Sequence, residues 1–432
     1  MSRQDCRILS ARFGRPDGHR LAVYQAAGGY QALRLVLAGM KPDEVIEVVK
    51  ESGLRGRGGA GFPTGAKWSF VPKTADQVYF FVNADESEPG TFKDRYLLDY
   101  DPHQTIEGTI ISAFAVRANL AFIYVRGEFG WLVDRVQRAV DEAYAAGFLG
   151  RNILGSGYDL EMIVHKGAGA YICGEETGLI NSVTGTKGQP SIKPPFPAVS
   201  GFLGKPTIVN NVETVAAVPW IMLNGAAAYR GFGTEKSPGT KLWSVSGPVR
   251  RQGVYEVPLG LPFREFFRDD LGGMRDGEEL KACIVGGSSV PVLTAEEILS
   301  CTLDYESLQQ AGTMLGSGGM IIIPQSADMV ELLKVLMHFY WDESCGQCTP
   351  CREGTGWLHR VTSKLLKGEA VAEDLALLER ICDGMAGLTI CPLADAAVMP
   401  VRSFLKRFRG EFAARIHETA AAGSPTRWAR GE

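Results

Sequence analysis

The sequence lacks a long apolar run, a surplus of basic residues and a signal-like start. No stretch approaches the roughly 20 consecutive apolar residues that span a bilayer, and residues 1–20 carry no apolar segment after their basic residues. The formal net charge of −4 excludes a general nucleic-acid binder, which would show a basic surplus. We therefore expect a cytoplasmic protein with no direct membrane insertion and no nucleic-acid partner.

The composition is that of a soluble globular protein with a metal or redox role. A length of 432 residues allows two or three domains, and 45% hydrophobic with 22% charged residues is an ordinary globular balance. The cytoplasm keeps thiols reduced, so the nine cysteines favour metal binding or redox chemistry over disulfides.

Strands and helices alternate between residues 77 and 167. The segments "QVYFFVNADESEPG", "LAFIYVRG" and "LEMIVHKG" predict strands, whereas "HQTIEGTIISAFAVRAN" and "WLVDRVQRAVDEAYAAG" predict helices. This alternation predicts an α/β fold whose parallel sheet is covered on both faces. Ligands of such sheets bind at the carboxyl ends of the strands. We therefore expect the loops that begin at Asn83, Gly127 and Gly167 to face one crevice.

The rest of the chain predicts further domains. Residues 238–326 contain short strands around one helix, "PFREFFRDDLG", which indicates a small α+β domain. Residues 327–419 show the pattern of four helices with short connections, and residues 420–432 predict a disordered tail. Residues 1–237 then form the α/β domain.

A glycine-rich loop, "GLRGRGGAGFPTGAKW", occupies residues 53–68. Glycine has no Cβ, so a ligand can lie directly on its main chain. Gly56, Gly58 and Gly61 match the dinucleotide fingerprint G-x-G-x-x-G, which should follow a strand and open a helix. Here a helical pattern precedes the loop, and Pro63 is expected to prevent a helix directly after it. The loop therefore does not have the context of a Rossmann turn.

Three closely spaced cysteines suggest an iron–sulfur cluster. Cys345, Cys348 and Cys351 form C-x2-C-x2-C in "SCGQCTPCREG", and a [4Fe–4S] cluster needs a fourth thiolate. Cys382 continues the apolar stripe of a helix, whereas Cys391 lies in a loop before a proline, so we choose Cys391 as the fourth ligand. A zinc site and a redox CxxC motif remain alternatives. The other thiols are expected to be buried: Cys6, Cys173, Cys283 and Cys301.

Five segments in order resemble the NADH-binding flavoprotein subunit of respiratory complex I. They are the glycine loop, "VNADESEPGTFKDR", "HKGAGAYICGEETGLINSVTG", "GKPTIVNNVETV" and "SCGQCTPCREGTGW". The resemblance implies an NADH dehydrogenase subunit that uses FMN and one [4Fe–4S] cluster and feeds electrons to quinone. FMN would take a hydride and release electrons singly, so no catalytic side chain is expected.

The same resemblance implies an assembly and a site. The small domain would be ubiquitin-like, and the chain would be peripheral to the cytoplasmic membrane through its complex. Its partners would be a [2Fe–2S] thioredoxin-like subunit and an iron–sulfur relay subunit. The expected flavin-side residues are Gly56, Arg57, Gly58, Gly59, Lys67, Asn83, Asp85, Tyr171, Gly174, Glu175, Asn210, Asn211 and Thr214. The expected NADH-side residues are Phe62, Phe70, Glu88, Glu176, Lys193 and Phe196.

Phe62 and Phe70 are expected to sandwich the adenine, because stacking needs flat aromatic faces. Glu176 is expected beside the adenosine ribose, where it would accept hydrogen bonds from the hydroxyls of NADH and repel the extra phosphate of NADPH. The alternative is that Glu176 only caps the helix that begins at "EETGLINSV".

The chain departs from the family pattern at a few positions. These are Gly178 in place of an alanine, Ser191 and Ile192 where an arginine is common, and Pro392 and Ala394 after the fourth cysteine. Two other functions remain as alternatives. One is the diaphorase subunit of a soluble NAD-linked hydrogenase or formate dehydrogenase, and the other is an iron–sulfur scaffold that has lost flavin.

Overall fold

The structure is a computed structural model that describes residues 6–416. It separates into two compact units, the first ending at Ser326 and the second beginning at Ala327. The predicted disordered tail at 420–432 and the last residues of the predicted 327–419 domain lie outside the described residues. The division of residues 1–326 into two domains stays a prediction.

The first unit begins with four helices. They are α1 (Leu21–Ala26), α2 (Gln31–Gly39), α3 (Pro42–Ser52) and α4 (Thr64–Trp68). Pro42 is at the first position of α3, and Gly53 ends that helix with a φ of 68°. The prediction that Pro63 prevents a helix after the glycine loop is wrong. Pro63 is the N-cap residue of α4, where its missing N–H costs the helix no hydrogen bond.

A four-stranded parallel sheet forms the centre of the first unit. The strands are β1 (Tyr79–Ala84), β2 (Leu120–Val125), β3 (Glu161–Lys166) and β4 (Thr207–Asn211), in the spatial order β3-β2-β1-β4. The accompanying helices are α5 (Asp94–Tyr100), α6 (Pro102–Ala115), α7 (Gly130–Ala145), α8 (Glu176–Val183), α9 (Val212–Asn224) and α10 (Ala226–Arg230). The predicted parallel α/β fold is confirmed.

The sheet is covered on both faces. One face packs against α6, α7 and α9. On the other face Phe81 stacks on Phe122, with ring centroids 4.5 Å apart, and both rings contact Phe202. Tyr124 forms a 2.9 Å hydrogen bond with Ser182 of α8 on this second face. The ligand site is therefore confined to the edge where the strands end.

A second, mixed sheet completes the first unit. Its strands are β5 (Thr240–Ser246), β6 (Gly253–Pro258), β7 (Leu280–Ile284), β8 (Leu293–Thr294) and β9 (Gly319–Pro324), in the order β6-β5-β9-β7-β8. Only the β5–β9 pair is parallel. The helices are α11 (Phe263–Glu265), which continues as a π-helical turn, α12 (Ala295–Leu299) and α13 (Tyr305–Gln310). The prediction of one helix missed α12 and α13, which are too short to show an apolar period.

The second unit consists of four helices among the described residues. They are α14 (Met329–Asp342), α15 (Thr349–Leu366), α16 (Ala372–Asp383) and α17 (Leu393–Ala413). Asp328 caps α14 by accepting hydrogen bonds from the backbone amides of Val330 and Glu331. The cysteine-rich segment connects α14 to α15, and Cys391 lies in the connection between α16 and α17.

Candidate functional site

A cavity of about 860 Å³ opens at the carboxyl ends of β1 and β4. Most of the predicted cofactor-binding residues line it. They are Gly56, Gly58, Gly59, Phe62, Lys67, Phe70, Asn83, Gly174, Glu175, Glu176, Lys193, Phe196, Asn210, Asn211 and Thr214. Sequence reasoning missed further lining residues that lie inside or beside the quoted motifs: Ala60, Gly61, Pro197, Ala198, Val199 and Val209.

One of the three loops predicted to face the crevice does not line the cavity. Gly127 packs against the segment Gly167–Gly169, and a Cβ at Gly127 would lie 2.5 Å from the backbone nitrogen of Gly169. The two loops therefore close on each other at the ends of β2 and β3. Of these three loop starts, Asn83 lines the cavity, and the Gly167 loop reaches it further along the chain at Gly174.

The glycine loop presents bare backbone to the cavity. Gly59 has a φ of 153°, and a Cβ there would meet no protein atom within 4 Å, so it would project into open space. A Cβ at Gly58 would lie 3.1 Å from the Cβ of Asn211, and a Cβ at Gly61 would lie 2.5 Å from the ring of Tyr305. The loop thus packs closely against Asn211 and Tyr305 on its protein side, and its cavity side is open, as a flat ligand requires.

Arg57 does not line the cavity, contrary to the prediction. Its side chain is 1% exposed and points into the protein, where the guanidinium donates to the hydroxyls of Tyr305 and Tyr229 and to the carbonyl of Pro238. Its backbone amide donates to the hydroxyl of Thr214 over 2.9 Å. These oxygens pair with the buried guanidinium, so the side chain of Arg57 anchors the loop from behind, and its expected flavin-side role stays a prediction.

Asp85, Glu88 and Tyr171 also do not line the cavity. Glu88 accepts hydrogen bonds from the Tyr171 hydroxyl at 2.6 Å and from the backbone amide of Ser289 at 2.7 Å. Burial raises the pKa of Glu88, and these hydrogen bonds oppose the increase. Asp85 accepts from the hydroxyl of Ser87 at 3.1 Å. Local partners therefore hold these side chains beside the cavity.

Glu175, and not Glu176, caps α8. The carboxylate of Glu175 accepts hydrogen bonds from the backbone amides of Thr177 at 2.8 Å and Gly178 at 3.0 Å. The alternative that Glu176 is only the helix cap is therefore wrong, because the N-cap position is one residue earlier. Glu176 is free to face the cavity.

Two lysines hold Glu176. Lys67 donates to one carboxylate oxygen and Lys193 to the other, each over 2.8 Å, and Lys193 also reaches Glu175 at 2.9 Å. Burial raises the pKa of Glu176, but the two ammonium groups outweigh it and lower the pKa below its usual value. Glu176 is therefore a carboxylate at neutral pH, fixed in position on the cavity wall.

Three large aromatic side chains stand exposed at the cavity. Phe62 is 49%, Phe70 is 55% and Phe196 is 59% exposed, although such rings are normally buried. The rings of Phe62 and Phe70 are 6.0 Å apart and tilted by 49°. A ring between them needs about 7 Å and parallel faces, so the adenine sandwich would require the two rings to separate. It stays a prediction.

The two asparagines at the end of β4 have different partners. The indole N–H of Trp68 donates to the carbonyl of Asn210 over 2.8 Å. The amide nitrogen of Asn210 has no hydrogen-bond partner within residues 6–416, so it is available as a donor. Asn211 caps α9 by accepting from the amide of Glu213, and its own amide nitrogen donates to Asp94.

A buried charge network supports Asn211, and nothing in the sequence pattern indicated it. Lys93 donates to Asp94 at 2.7 Å, Glu213 at 2.9 Å and Asn211 at 3.3 Å, while Lys241 reaches Glu213 at 2.5 Å. Burial lowers the pKa of Lys241 to about 7, although Glu213 opposes this. Burial would raise the pKa of Glu213, but the lysines hold it below its usual value.

The structure accounts for some departures from the family pattern. A Cβ at Gly178 would lie 2.7 Å from the carbonyl oxygen of Ile172, so an alanine does not fit this backbone. Ser191 accepts a hydrogen bond from Asn181 at 2.9 Å, whereas Ile192 is 71% exposed. Pro392 is the N-cap residue of α17, followed by the buried Ala394.

The second unit brings the cysteine loops together. Cys351 contacts the hydroxyl of Ser344 at 3.1 Å; burial raises the pKa of the Cys351 thiol, and the nearby Cys345 and Cys348 raise it further. The backbone amide of Ile390 donates to the sulfur of Cys348 over 3.4 Å, which places the loop of Cys391 beside that thiol. No three metal-ligating side chains among residues 6–416 converge on a single ion. A four-iron cube is wider than one ion and takes more widely spaced thiolates.

The remaining thiols are in apolar surroundings. Cys382 is fully buried in α16, and burial raises its pKa to about 12, so it is a protonated core thiol. The other four predicted buried cysteines are also buried: Cys6, Cys173, Cys283 and Cys301.

The fold and the two sites define an oxidoreductase subunit that binds a flavin and an iron–sulfur cluster. Residues 49–220 match the family model described as the Nuo51 FMN-binding domain, and residues 331–415 match the NADH-ubiquinone oxidoreductase-F iron-sulfur binding region. The chain belongs to the family of F subunits of NADH-quinone oxidoreductase. It is an NADH-oxidising subunit with FMN and a [4Fe–4S] cluster as cofactors.

The relatives support this membership over more than nine-tenths of the chain. The F 2 subunit of NADH-quinone oxidoreductase in Rhizobium meliloti is 51% identical over 404 residues, covering 93% of this chain and 96% of the relative. The F subunit of the same enzyme in Mycobacterium bovis is 52% identical over 417 residues, covering 95% and 93%. A solved NAD+-reducing [NiFe]-hydrogenase, in its H2-reduced state, has a TM-score of 0.83 and 35% identity, covering 93% of this chain and 68% of that chain.

A membrane-crossing helix is not found among the described residues, since none combines the necessary length and apolar character.

Proposed function

We propose that the 860 Å³ cavity holds both FMN and NADH, and that the lining residues named above are their binding site. The supporting observation is the combination of bare glycine backbone and exposed phenylalanines in one cavity at the strand ends. When bound, FMN supplies the chemistry that links two-electron hydride transfer to single-electron transfer. The side chains then serve to bind, orient and exclude water.

The donors and acceptors of the cavity fit these ligands. A Cβ at Gly59 would fill the space in which a flat ring can lie on the backbone. The free amide nitrogen of Asn210 and the start of α9 offer donors suited to a phosphate. Lys67 and Lys193 add positive charge on the same wall.

On the nucleotide side, Phe62, Phe70 and Phe196 offer aromatic faces for the adenine. Glu176 is ionised and held by two lysines, so it can accept hydrogen bonds from ribose hydroxyls. The same carboxylate repels the 2′-phosphate of NADPH. We assign Glu176 as the residue that selects NADH.

For the cluster we propose Cys345, Cys348, Cys351 and Cys391 as ligands. Cys345 and Cys348 precede α15, Cys351 lies in its first turn, and the Ile390–Cys348 hydrogen bond brings the loop of Cys391 beside Cys348. Cys382 is unsuitable because its side chain is fully buried on the core-facing side of α16, whereas Cys391 lies in the loop beside Cys348.

The assembly proposals depend on the family. We propose that residues 238–326 are a ubiquitin-like domain, supported by the strand order β6-β5-β9-β7-β8, and that residues 327–419 form the cluster domain. The chain would lie in the cytoplasm, peripheral to the membrane. There it would contact a thioredoxin-like [2Fe–2S] subunit and an iron–sulfur relay subunit.

FMN titration of the flavin-free protein tests the flavin site. We compare the wild type with Gly59→Ala and with Gly253→Ala, where Gly253 has a similar φ of 145° and an added Cβ meets only Tyr255 at 3.9 Å. The two substitutions cause similar backbone strain, but only the Cβ at position 59 projects into the cavity. Gly59→Ala should therefore weaken FMN binding ten-fold or more, and Gly253→Ala should not. Equal affinities in the two variants would contradict the proposed position of the flavin.

A further inference from the structure

A groove between α14 and α15 lies outside the two sites described above. It encloses about 590 Å³, and four cationic side chains line it: Lys334, Arg360, Lys364 and Lys367. Glu369 is the one acidic side chain among the described lining residues. The groove thus collects positive charge on a chain whose formal net charge is −4.

Most of these cations have no counter-charge of their own. Lys364 pairs with Asp374 over 2.6 Å. Lys334, Arg360 and Lys367 form no ion pair with any of residues 6–416. Positive side chains that share a groove repel one another, so a negatively charged partner would be attracted there.

The floor of the groove is aromatic. Trp341 stacks on His359, with ring centroids 5.3 Å apart and an interplanar angle of 22°, and remains 41% exposed. The groove therefore offers apolar contact beside its charges, which is typical of the anchor region of a protein interface.

The spacing of the charges favours a peptide over a single phosphate. Phosphate sites gather backbone N–H groups on one point, whereas these cations project from long side chains on two helices. From Arg360 to Lys367, α15 and its cap extend about 10 Å at 1.5 Å per residue. Several carboxylates in a row match that length, and one phosphate does not.

We propose that this groove docks an acidic segment of a partner subunit, whose carboxylates meet Lys334, Arg360 and Lys367 while an apolar side chain covers Trp341. The chain belongs to a family of complex subunits, so partner chains are available. Bound carboxylates would replace the missing counter-charges, and the apolar contact would cover the exposed indole.

Carbodiimide cross-linking of the assembled complex tests the contact directly. The reagent joins a lysine amine to a touching carboxylate as an amide, and takes up the released water as its urea. Mass spectrometry should find Lys334 or Lys367 joined to Asp or Glu of another chain. If both lysines are modified only within this chain, or not at all, the proposal is overturned.

Charge reversal tests how much the groove cations contribute to partner binding. In Lys334→Glu/Arg360→Glu/Lys367→Glu, the partner chains retained on the tagged subunit at 0.15 M salt should fall roughly ten-fold or more. A circular-dichroism melt establishes that the variant is folded. If the triple variant fails to fold, Arg360→Gln alone should still reduce retention measurably, and unchanged retention would contradict the proposal.

A control variant makes the same change in net charge on another helix. Arg402→Glu/Lys406→Glu/Arg409→Glu reverses three exposed cations on α17 and should retain the partners better than the groove variant does. Flotation with phosphatidylserine vesicles separates a lipid ligand from a peptide. Vesicle binding that the groove variant loses while its partners stay bound would overturn the peptide assignment.

Discussion

The cavity proposed to bind FMN and NADH and the cysteine loop differ in the partners that the protein itself supplies to each site. The polar side chains of the cavity wall already have partners within the protein. Glu176 accepts hydrogen bonds from two lysines, and Asn211 is hydrogen-bonded to Asp94, to Lys93 and to the first turn of α9. In the cysteine loop, the sulfur of Cys348 accepts from the Ile390 amide and the sulfur of Cys351 contacts the Ser344 hydroxyl, so neutral groups and not charges surround these two thiols.

The difference shows which part of each site needs its cofactor. Opposite charges in and behind the cavity wall pair with one another, so we expect that wall to keep its structure without a ligand. Thiolates repel until a metal centre neutralises them, so the cysteine loop depends on its cluster. We therefore expect the flavin site to survive loss of the cluster, and the following experiments test that independence from the largest effect to the smallest.

The largest effect should come from the cluster ligands. Replacing Cys345, Cys348, Cys351 or Cys391 singly by Ser should abolish the cluster EPR signal, because a hydroxyl is a poor ligand for iron in these clusters. The matched control is Cys382→Ser, which should keep the signal. A normal signal in Cys391→Ser together with its loss in Cys382→Ser would show that the fourth ligand is misassigned.

The buried network should contribute most of the rigidity of the cavity wall. Lys93→Met removes one partner of Glu213 and Asp94 and leaves buried charge uncompensated, which should lower the free energy of unfolding by about 3–5 kcal/mol. Urea unfolding of the flavin-free protein measures this change. Lys73→Met is the control, because its ion pair with Asp43 is exposed and contributes at most about 1 kcal/mol. Equal losses in both variants would mean that the network does not stabilise the wall.

Glu176→Ala should change nucleotide selection. It leaves Lys67 and Lys193 without their shared carboxylate, so the 2′-phosphate of NADPH would meet two cations instead of an anion. One charge pair at about 4 Å and an effective dielectric near 20 is of order 4 kcal/mol. The NADPH-to-NADH ratio of kcat/KM should therefore rise by roughly 100-fold or more. An unchanged ratio would place Glu176 away from the ribose.

Glu175→Ala should have the smallest effect. The variant loses the cap of α8, which should cost about 1 kcal/mol in the free energy of unfolding. The NADPH-to-NADH ratio should stay within about two-fold of the wild type, since Glu176 is intact. A large shift in that ratio would mean that the two glutamates act as one unit.

The sequence predicts the features that depend on local pattern. Apolar residues dominate the strands at Tyr79–Ala84 and Leu120–Val125, and C-x2-C-x2-C is a contiguous motif. Other contacts join residues more than a hundred positions apart in the sequence. Examples are the hydrogen bond from Arg57 to Tyr229 and the ion pair of Lys93 with Glu213. Such contacts depend on tertiary packing, and no period or motif encodes them.

The alternative that Glu176 only caps α8 is wrong for a local reason. Glu175 and Glu176 are both acidic and adjacent, so either could stand at the start of α8. The choice depends on one residue in the helix boundary, which sequence patterns fix least well. The backbone of Glu175 is extended and that of Glu176 is helical, and this difference selects the cap.

An anaerobic NADH titration of the variant in which all four proposed ligand cysteines are Ser tests the central claim most directly. The flavin absorbance near 450 nm is followed after FMN has been added. The account predicts that about one NADH per FMN bleaches the flavin although no cluster EPR signal appears, because the cavity does not depend on the cysteine loop. A folded variant that binds no FMN, or binds FMN that NADH does not bleach, would contradict it.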